Sequence, residues 1–319
     1  MKIERRYDPH ASRKIELARG PRFFRDAVIL VVVAVVMTAV SAQAVRAQNL
    51  NWEGQTGAFV TPFAYTSASS PNGIGRPDVA FHYLNGGPVL GNFYEISGTI
   101  GFLGRVELGY SRALSSPGSN SELSPLFQGG FNIFHGKVNL LRENQGKHNY
   151  LPAISVGAVA RTQVQRVGGV ISGKETSNGD FYAVATKTIT EIKQLPIVAN
   201  VGFKVTNSSV LGIAGNAPDW QGRVFGALGF VLPGPAKSKI VVGSEALQEP
   251  HHIQGLVGEP SATLPTTLTY FARVLPPGKV PINVDFGVAQ AANEILPGAK
   301  LQARAQFAFG ISYRFAKAE

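Results

Sequence analysis

Ala305-Gln306-Phe307-Ala308-Phe309-Gly310-Ile311-Ser312-Tyr313-Arg314-Phe315 closes the chain but for four residues. Ala305, Phe307, Phe309, Ile311, Tyr313 and Phe315 fall on one side, and Arg304, Gln306, Ala308, Gly310, Ser312 and Arg314 on the other. Such alternation belongs to a β-strand whose two faces meet different surroundings. The rhythm recurs upstream. Ile282, Val284, Phe286 and Val288 oppose Asn283, Asp285, Gly287 and Ala289. Ile197, Ala199, Val201, Phe203 and Val205 oppose Asn200, Gly202, Lys204 and Thr206. Val106, Leu108 and Tyr110 oppose Arg105, Glu107, Gly109 and Ser111, and Ile154, Val156, Ala158 and Ala160 oppose Ser155, Gly157 and Arg161. Weaker windows lie near 56–64, 78–84, 92–101, 127–135, 180–189, 222–231, 237–247 and 264–274, making 13 candidates with no convincing helical period among them.

Turn chemistry separates the windows. Asn85-Gly86-Gly87-Pro88, Ser177-Asn178-Gly179-Asp180 and Pro276-Pro277-Gly278-Lys279 combine fixed or permissive φ with short polar side chains. Segments 65–77, 113–126, 207–219 and 248–263 read as surface loops, and nothing resembles a linker between two folded halves.

The N-terminus carries targeting information. Arg5, Arg6, Arg13, Lys14, Arg19, Arg22 and Arg25 precede the apolar run Ala27–Val40, and small residues follow at Ala42-Gln43-Ala44 and Val45-Arg46-Ala47. A 14-residue apolar run is short of the roughly 20 residues a spanning helix needs. The order charged, apolar, small predicts a secretory signal over 1–47, with an uncleaved anchor as the other reading. The net charge of +10 then falls to +5 for residues 48–319, which removes the support for a nucleic-acid partner. The chain has no cysteine, which excludes disulfides, thiolate metal sites and a Cys nucleophile.

Alternation alone does not say whether the apolar row faces a dry core or lipid. Only 37 of the 272 residues after position 47 are charged, about 14%, against about 25–35% on water-facing surfaces. Gly, Ser, Asn and Gln dominate the polar rows, as suits a wet, crowded interior. The chain is therefore expected to be all-β, a transmembrane antiparallel barrel. Bacterial single-chain barrels have even strand numbers, so about 12 strands are expected. A soluble periplasmic β-sandwich is the rival. Phe307, Phe309, Ile311, Tyr313 and Phe315 resemble the C-terminal signal by which Gram-negative assembly machinery recognises outer-membrane barrels, although Ala316-Lys317-Ala318-Glu319 follow the last aromatic. Tyr110, Trp220, Tyr270 and Tyr313 are candidates for interfacial aromatic girdles.

Leu50-Asn51-Trp52-Glu53-Gly54-Gln55-Thr56-Gly57-Ala58-Phe59-Val60-Thr61-Pro62, Gly86-Gly87-Pro88-Val89-Leu90-Gly91-Asn92-Phe93-Tyr94-Glu95 and Gly101-Phe102-Leu103-Gly104-Arg105-Val106-Glu107-Leu108-Gly109-Tyr110-Ser111-Arg112 add a family signal. Together they resemble the domain-of-unknown-function 3034 group of secreted Gram-negative proteins. More loosely, Gly57-x-x-x-x-Pro62 and the Glu-Leu-Gly-Tyr strand are similar to YjbH-type barrels linked to exopolysaccharide production. The resemblance implies an outer-membrane β-barrel and carries no activity with it.

Chemistry is sparse. His251-His252 lacks the carboxylate spacing of a metal site. His82, His135 and His148 have no Asn-His-x-Ser or Gly-x-Ser-x-Gly context, so an envelope hydrolase is not expected. Gly98, Gly101 and Gly104 lack the Lys-Ser/Thr of a phosphate loop and read as hairpin glycines. Neither catalytic residue, cofactor nor metal is assigned. The polar rows place Arg105, Arg161, Lys204, Lys239, Arg273, Arg304 and Arg314 in the lumen against Glu107, Glu245 and Asp285, with Arg105 beside Glu107. That balance predicts a positive lumen favouring anions, unless the charges pair across strands and plug a narrow barrel. The expected role is a passive or gated channel for small solutes, anions among them. The alternative is a non-channel barrel supporting envelope assembly or polysaccharide export. Its expected partners are outer-membrane lipids, the assembly machinery, and small anions or polysaccharide.

Overall fold

A computed structural model describes residues 49–121, 124–127, 129–146, 150–164, 176–192, 195–213, 215–250, 266–277, 281–291 and 306–315. The expected signal 1–47, Arg304, His148, His251 and His252 lie outside the described residues. Two short strands come first, β1 (Asn49–Leu50) and β2 (Thr56–Gly57), paired with each other. Twelve longer strands follow: β3 (Asp78–Asn85), β4 (Asn92–Phe102), β5 (Val106–Ser116), β6 (Gly129–Leu141), β7 (Ala153–Val164), β8 (Thr176–Ile189), β9 (Ile197–Ser208), β10 (Asn216–Pro233), β11 (Lys239–Leu247), β12 (Thr267–Leu275), β13 (Ile282–Ala291) and β14 (Gln306–Arg314). Each pairs antiparallel with the next. β14 returns to β3 through Phe309↔Tyr83 and Ile311↔Phe81, which closes the barrel. Closure leaves no open edge, the condition lipid imposes on a sheet.

The alternation points as its parity requires. Val201 (64% exposed), Phe181 (62%) and Phe307 (50%) stand on the outside, with Phe203, Val224, Leu108 and Ile311 in the same outward rows. Glu107, Ser111, Ser155, Arg161, Lys204, Thr206, Asp285 and Ser312 are buried on the inside. A sandwich would bury the apolar rows, so the rival arrangement is excluded. Tyr110, Trp220, Tyr270 and Tyr313 all face outward. Tyr313 sits at a barrel end, opposite Ile282 and Val79. Tyr110 and Tyr270 instead stand mid-strand, opposite Gly98 and Ser244, and pack as ordinary wall aromatics; Tyr110 meets the Phe134 ring at 5.2 Å.

Twelve of the thirteen windows are wall strands. The exception is 56–64. Ala58, Phe59 and Val60 are buried in succession, so this stretch has no outward face and cannot be part of a half-exposed wall. Between Phe102 and Val106 the chain reverses tightly, with φ of 51° at Leu103 and 66° at Gly104. This is a hairpin turn, as the glycine spacing implies.

Inward glycines have a further use. Gly109, Gly157, Gly202, Gly243 and Gly310 each face a ring directly across the ladder: His135, Tyr182, Phe225, Phe271 and His82. The rings lie over the glycines. A Cβ on Gly243 would come within 2.7 Å of the Phe271 ring. Ring over glycine flattens the side chain against the wall and leaves the middle of the lumen free for other chain.

Candidate functional site: a filled lumen

The occupant is residues 49–67, here called the plug. Asn49, Leu50, Trp52, Gln55, Phe59, Phe63 and Ser67 are all buried inside the barrel. Asn51 folds the plug's tip: its Oδ1 accepts from the N–H groups of Glu53 (3.0 Å) and Gln55 (2.9 Å), an Asx-type turn that Gly54 completes with φ of 80°. Trp52 lies 6.1 Å from the His82 ring, and Phe59 crosses the same ring edge-on.

Polar wall residues hold the plug by its backbone. Glu245 accepts from Phe59 N–H (3.1 Å), Val60 N–H (3.0 Å), Thr61 N–H (2.8 Å) and the Thr61 hydroxyl (2.7 Å). Arg273 grips Asp285 with two nitrogens (2.7 and 3.0 Å) and donates to the carbonyls of Gly57 (3.0 Å) and Ala58 (2.9 Å). Lys137 donates to the carbonyls of Thr56 (2.9 Å) and Phe63 (3.1 Å) and pairs with Glu107 at 3.1 Å. Glu107 accepts from Thr56 N–H (3.0 Å), the Thr56 hydroxyl (2.5 Å) and Ser67 N–H (2.7 Å). Asn200 donates to the Pro62 carbonyl at 3.1 Å. The one charged side chain of the plug, Glu53, meets Arg161 at 2.5 Å.

Both ends of the plug lie at the barrel end where β3 begins and β14 finishes. Asn49 donates to Asp285 (2.7 Å) and accepts from the Ser312 hydroxyl; the Ser67 hydroxyl donates to Asp78 (2.9 Å). Segment 209–215 approaches the plug from the strand ends of β9. It was expected on the surface, yet Leu211 and Ile213 are buried, because Val210 and Leu211 adopt φ of 47° and 55° and turn the chain inward. Glu249 fixes it, accepting from Val210 N–H (2.9 Å) and the Thr267 hydroxyl (3.0 Å). Burial pushes the Glu249 carboxyl above the ordinary carboxylate range. Leu211 shares with Glu53, Gln55, Tyr182 and Lys204 a cavity of about 20 Å³, room for about one water.

Most expected lumen residues are where parity placed them: Glu107, Arg161, Lys204, Glu245, Arg273 and Asp285 are buried on the inside. Arg105 is not among them. It stands in the turn before β5, its guanidinium donates to the carbonyls of Asn139 and Leu140 (3.1 and 3.0 Å), and Glu107 takes Lys137 instead. Lys239 has the inward parity but opens its strand and is only half-buried. Arg314 is likewise at a strand end, paired with Asp78 at 2.6 Å. Arg304 lies outside the described residues. Sequence reasoning missed Glu95, Lys137 and Asp180, buried inward charges on β4, β6 and β8. The expected positive lumen is therefore corrected. Asp78, Glu95, Glu107, Asp180, Glu245 and Asp285 stand against Lys137, Arg161, Lys204 and Arg273 among the described, buried wall-strand positions, and Glu53 on the plug and Glu249 after β11 are further buried carboxylates. Most pair across neighbouring strands.

His82 bonds Glu95 through Nδ1 at 2.8 Å, and His135 Nε2 meets the Thr99 hydroxyl at 3.2 Å. Among the described residues no three His, Asp or Glu side chains converge as a metal site would need.

A closed twelve-strand wall with an apolar exterior and a polar, plugged interior defines an outer-membrane-type β-barrel. No family model and no curated protein matches the chain. Solved structures with a similar fold include the KdgM porin, at 7% identity with a TM-score of 0.44 over 75% of this chain and 99% of that one. The COG4313 outer membrane channel from Pseudomonas putida F1 aligns at 10% identity and a TM-score of 0.45, over 80% and 100%. The translocator domain of autotransporter NalP from Neisseria meningitidis aligns at 12% and 0.33, over 76% and 87%.

Proposed function

We propose that the protein is a gated channel of the Gram-negative outer membrane that passes small polar solutes when the plug leaves the lumen. The observation that carries this reading is how the plug is held. It is no strand of the wall. Besides the apolar side chains it buries, Trp52, Ala58, Phe59, Val60, Phe63 and Ala64, it is held by hydrogen bonds from wall side chains to its backbone, which water can replace. Each such bond is worth only about 0.5–1.5 kcal/mol net, somewhat more to a charged group. Both ends of the plug sit at one barrel end, so it can swing out as a loop without breaking the wall. The connections at that end, 103–105, 142–152, 190–196, 234–238 and 276–281, are on the whole shorter than 86–91, 117–128, 165–175, 209–215, 248–266 and 292–305 at the other. Short turns face the periplasm in barrels of this kind, so the plug opens toward the periplasm. In the same reading, outer-membrane lipids meet the apolar rows and the assembly machinery recognises β14.

Thr61→Pro tests the proposal. It removes one N–H and one hydroxyl from Glu245 and leaves the wall intact. In planar bilayers the wild-type protein is expected to be mostly closed and Thr61→Pro to give frequent discrete conductance steps. A Thr61→Pro barrel that inserts, shown by heat-modifiable mobility, and stays silent contradicts it. The close packing of Trp52 and Phe59 favours the second reading, a non-conducting barrel whose loops serve envelope assembly or polysaccharide export. That reading predicts silence from both proteins and a phenotype on removing 248–263.

A further inference from the structure

We infer that Lys204 and Glu245 set the charge selectivity of the lumen once it opens; this rests on the channel reading above. The buried Asp, Glu, Lys and Arg residues of the wall strands fall into two groups. Glu107 with Lys137, Asp285 with Arg273 and Asp78 with Arg314 are direct cross-strand partners. Their nitrogens and oxygens lie 3.1, 2.7 and 2.6 Å apart. Asp180 meets Arg161 diagonally at 2.7 Å, and Glu95 shares a 2.8 Å contact with His82. These couples belong to the wall and stay behind when the plug departs. At a distance larger than their separation the fields of the Lys and Arg couples cancel in large part, whereas Glu95 is cancelled only when the His82 imidazole is protonated.

Lys204 and Glu245 are different. Lys204 is buried, and among the described residues no hydrogen bond or ion pair holds its ammonium group. Its cross-strand neighbours are Tyr182 and another cation, Arg223, which is bound at the mouth to the carbonyls of Gly222 and Glu249. The carboxylates within its electrostatic reach are Glu53, Asp180 and Glu249. Of these, Glu53 leaves with the plug, Asp180 is committed to Arg161, and Glu249 to Val210 and Thr267. Glu245 has four donors, and every one comes from the plug. Opening strips all four. Thus one cation on β9 and one anion on β11, on either side of β10, are the buried wall-strand charges that, among the described residues, have no ion-pair partner in contact, although Arg273 lies within electrostatic reach of Glu245. Removing either charge alone shifts the balance that a permeating ion meets. Arg273, expected from sequence to favour anions, instead neutralises Asp285.

Reversal potentials in a KCl gradient, measured on the full-length Thr61→Pro protein, test this. Adding Glu245→Gln is expected to lower the K⁺/Cl⁻ permeability ratio by roughly twofold or more, and adding Lys204→Gln to raise it by a similar factor. The triple variant should return near the starting ratio. Lys204→Met serves where Lys204→Gln fails to insert. Conducting channels whose ratio moves with neither substitution overturn the inference and leave the channel reading standing. Silence from every inserted variant overturns both.

Discussion

A ring lying over a glycine on the next strand is the commonest small device in this lumen, and it makes single residues decisive. At Gly202 a methyl group would run into the Phe225 ring, which the plug and wall hold buried. Gly202→Ala should therefore destabilise the barrel by about 1–3 kcal/mol, read as a lower urea midpoint in detergent. A change near zero would show that Phe225 is free to turn away. Arg273 is equally exposed to test. Arg273→Met strands Asp285 and the carbonyls of Gly57 and Ala58, a loss of about 3–5 kcal/mol for a broken buried pair. Arg273→Met with Asp285→Asn should recover part of it. At this scale the sequence was partly legible. Parity alone identified Glu107, Arg161, Lys204, Glu245 and Asp285 as inward. It missed Lys137 because the window 127–135 stopped two residues short of it, although β6 continues to Leu141. It missed Glu95 because no charge was assigned a face in the window 92–101, and Asp180 because Ser177-Asn178-Gly179-Asp180 reads as a turn, whereas these residues lie inside β8, which pairs with β7. Pairing partners were not legible, since Glu107 has cationic candidates both in sequence, at Arg105, and across the ladder, at Lys137.

Among elements, the wall and the plug differ in how they announce themselves. Wall strands alternate because one face meets lipid. Substitution on that face should cost what lipid charges: Val201→Arg is expected to lose about 2–4 kcal/mol if it lies near the bilayer midplane. Urea unfolding from liposomes measures it, and a cost below about 0.5 kcal/mol would mean that the Val201 row meets water. The plug has no such face, and from Asn49 to Thr61 its residues are buried without interruption. Its stretch Leu50–Pro62 carried the family resemblance and was also taken, over 56–64, for a strand. The correct reading depended on contacts with Glu245, Arg273 and Lys137, each roughly 75 to 220 positions away along the chain. Segment 209–215 was misplaced on the surface for a related reason: left-handed φ at Val210 and Leu211 is not a preference those residues signal.

For the molecule as a whole, low charge, alternation and the closing aromatic strand were enough to anticipate a closed barrel of twelve strands. The state of its interior was not. The interior charges, tallied over the wrong set of positions, suggested a basic pore, whereas among the described residues the folded lumen buries more carboxylates than cations and is filled. Whether the plug leaves the lumen when current flows is the central question. The absence of native cysteine allows a direct answer with Gln55→Cys, whose sulfur would sit at the plug's buried tip in place of an amide that bonds no neighbour among the described residues. A charged, membrane-impermeant thiol reagent is added on the side of the short turns during single-channel recording of Gln55→Cys with Thr61→Pro. The account predicts modification in step with channel opening, followed by a channel held open because the labelled tip no longer fits the lumen. Sustained conductance with an unreactive thiol would contradict it, because ions would then be passing a plug that never moved.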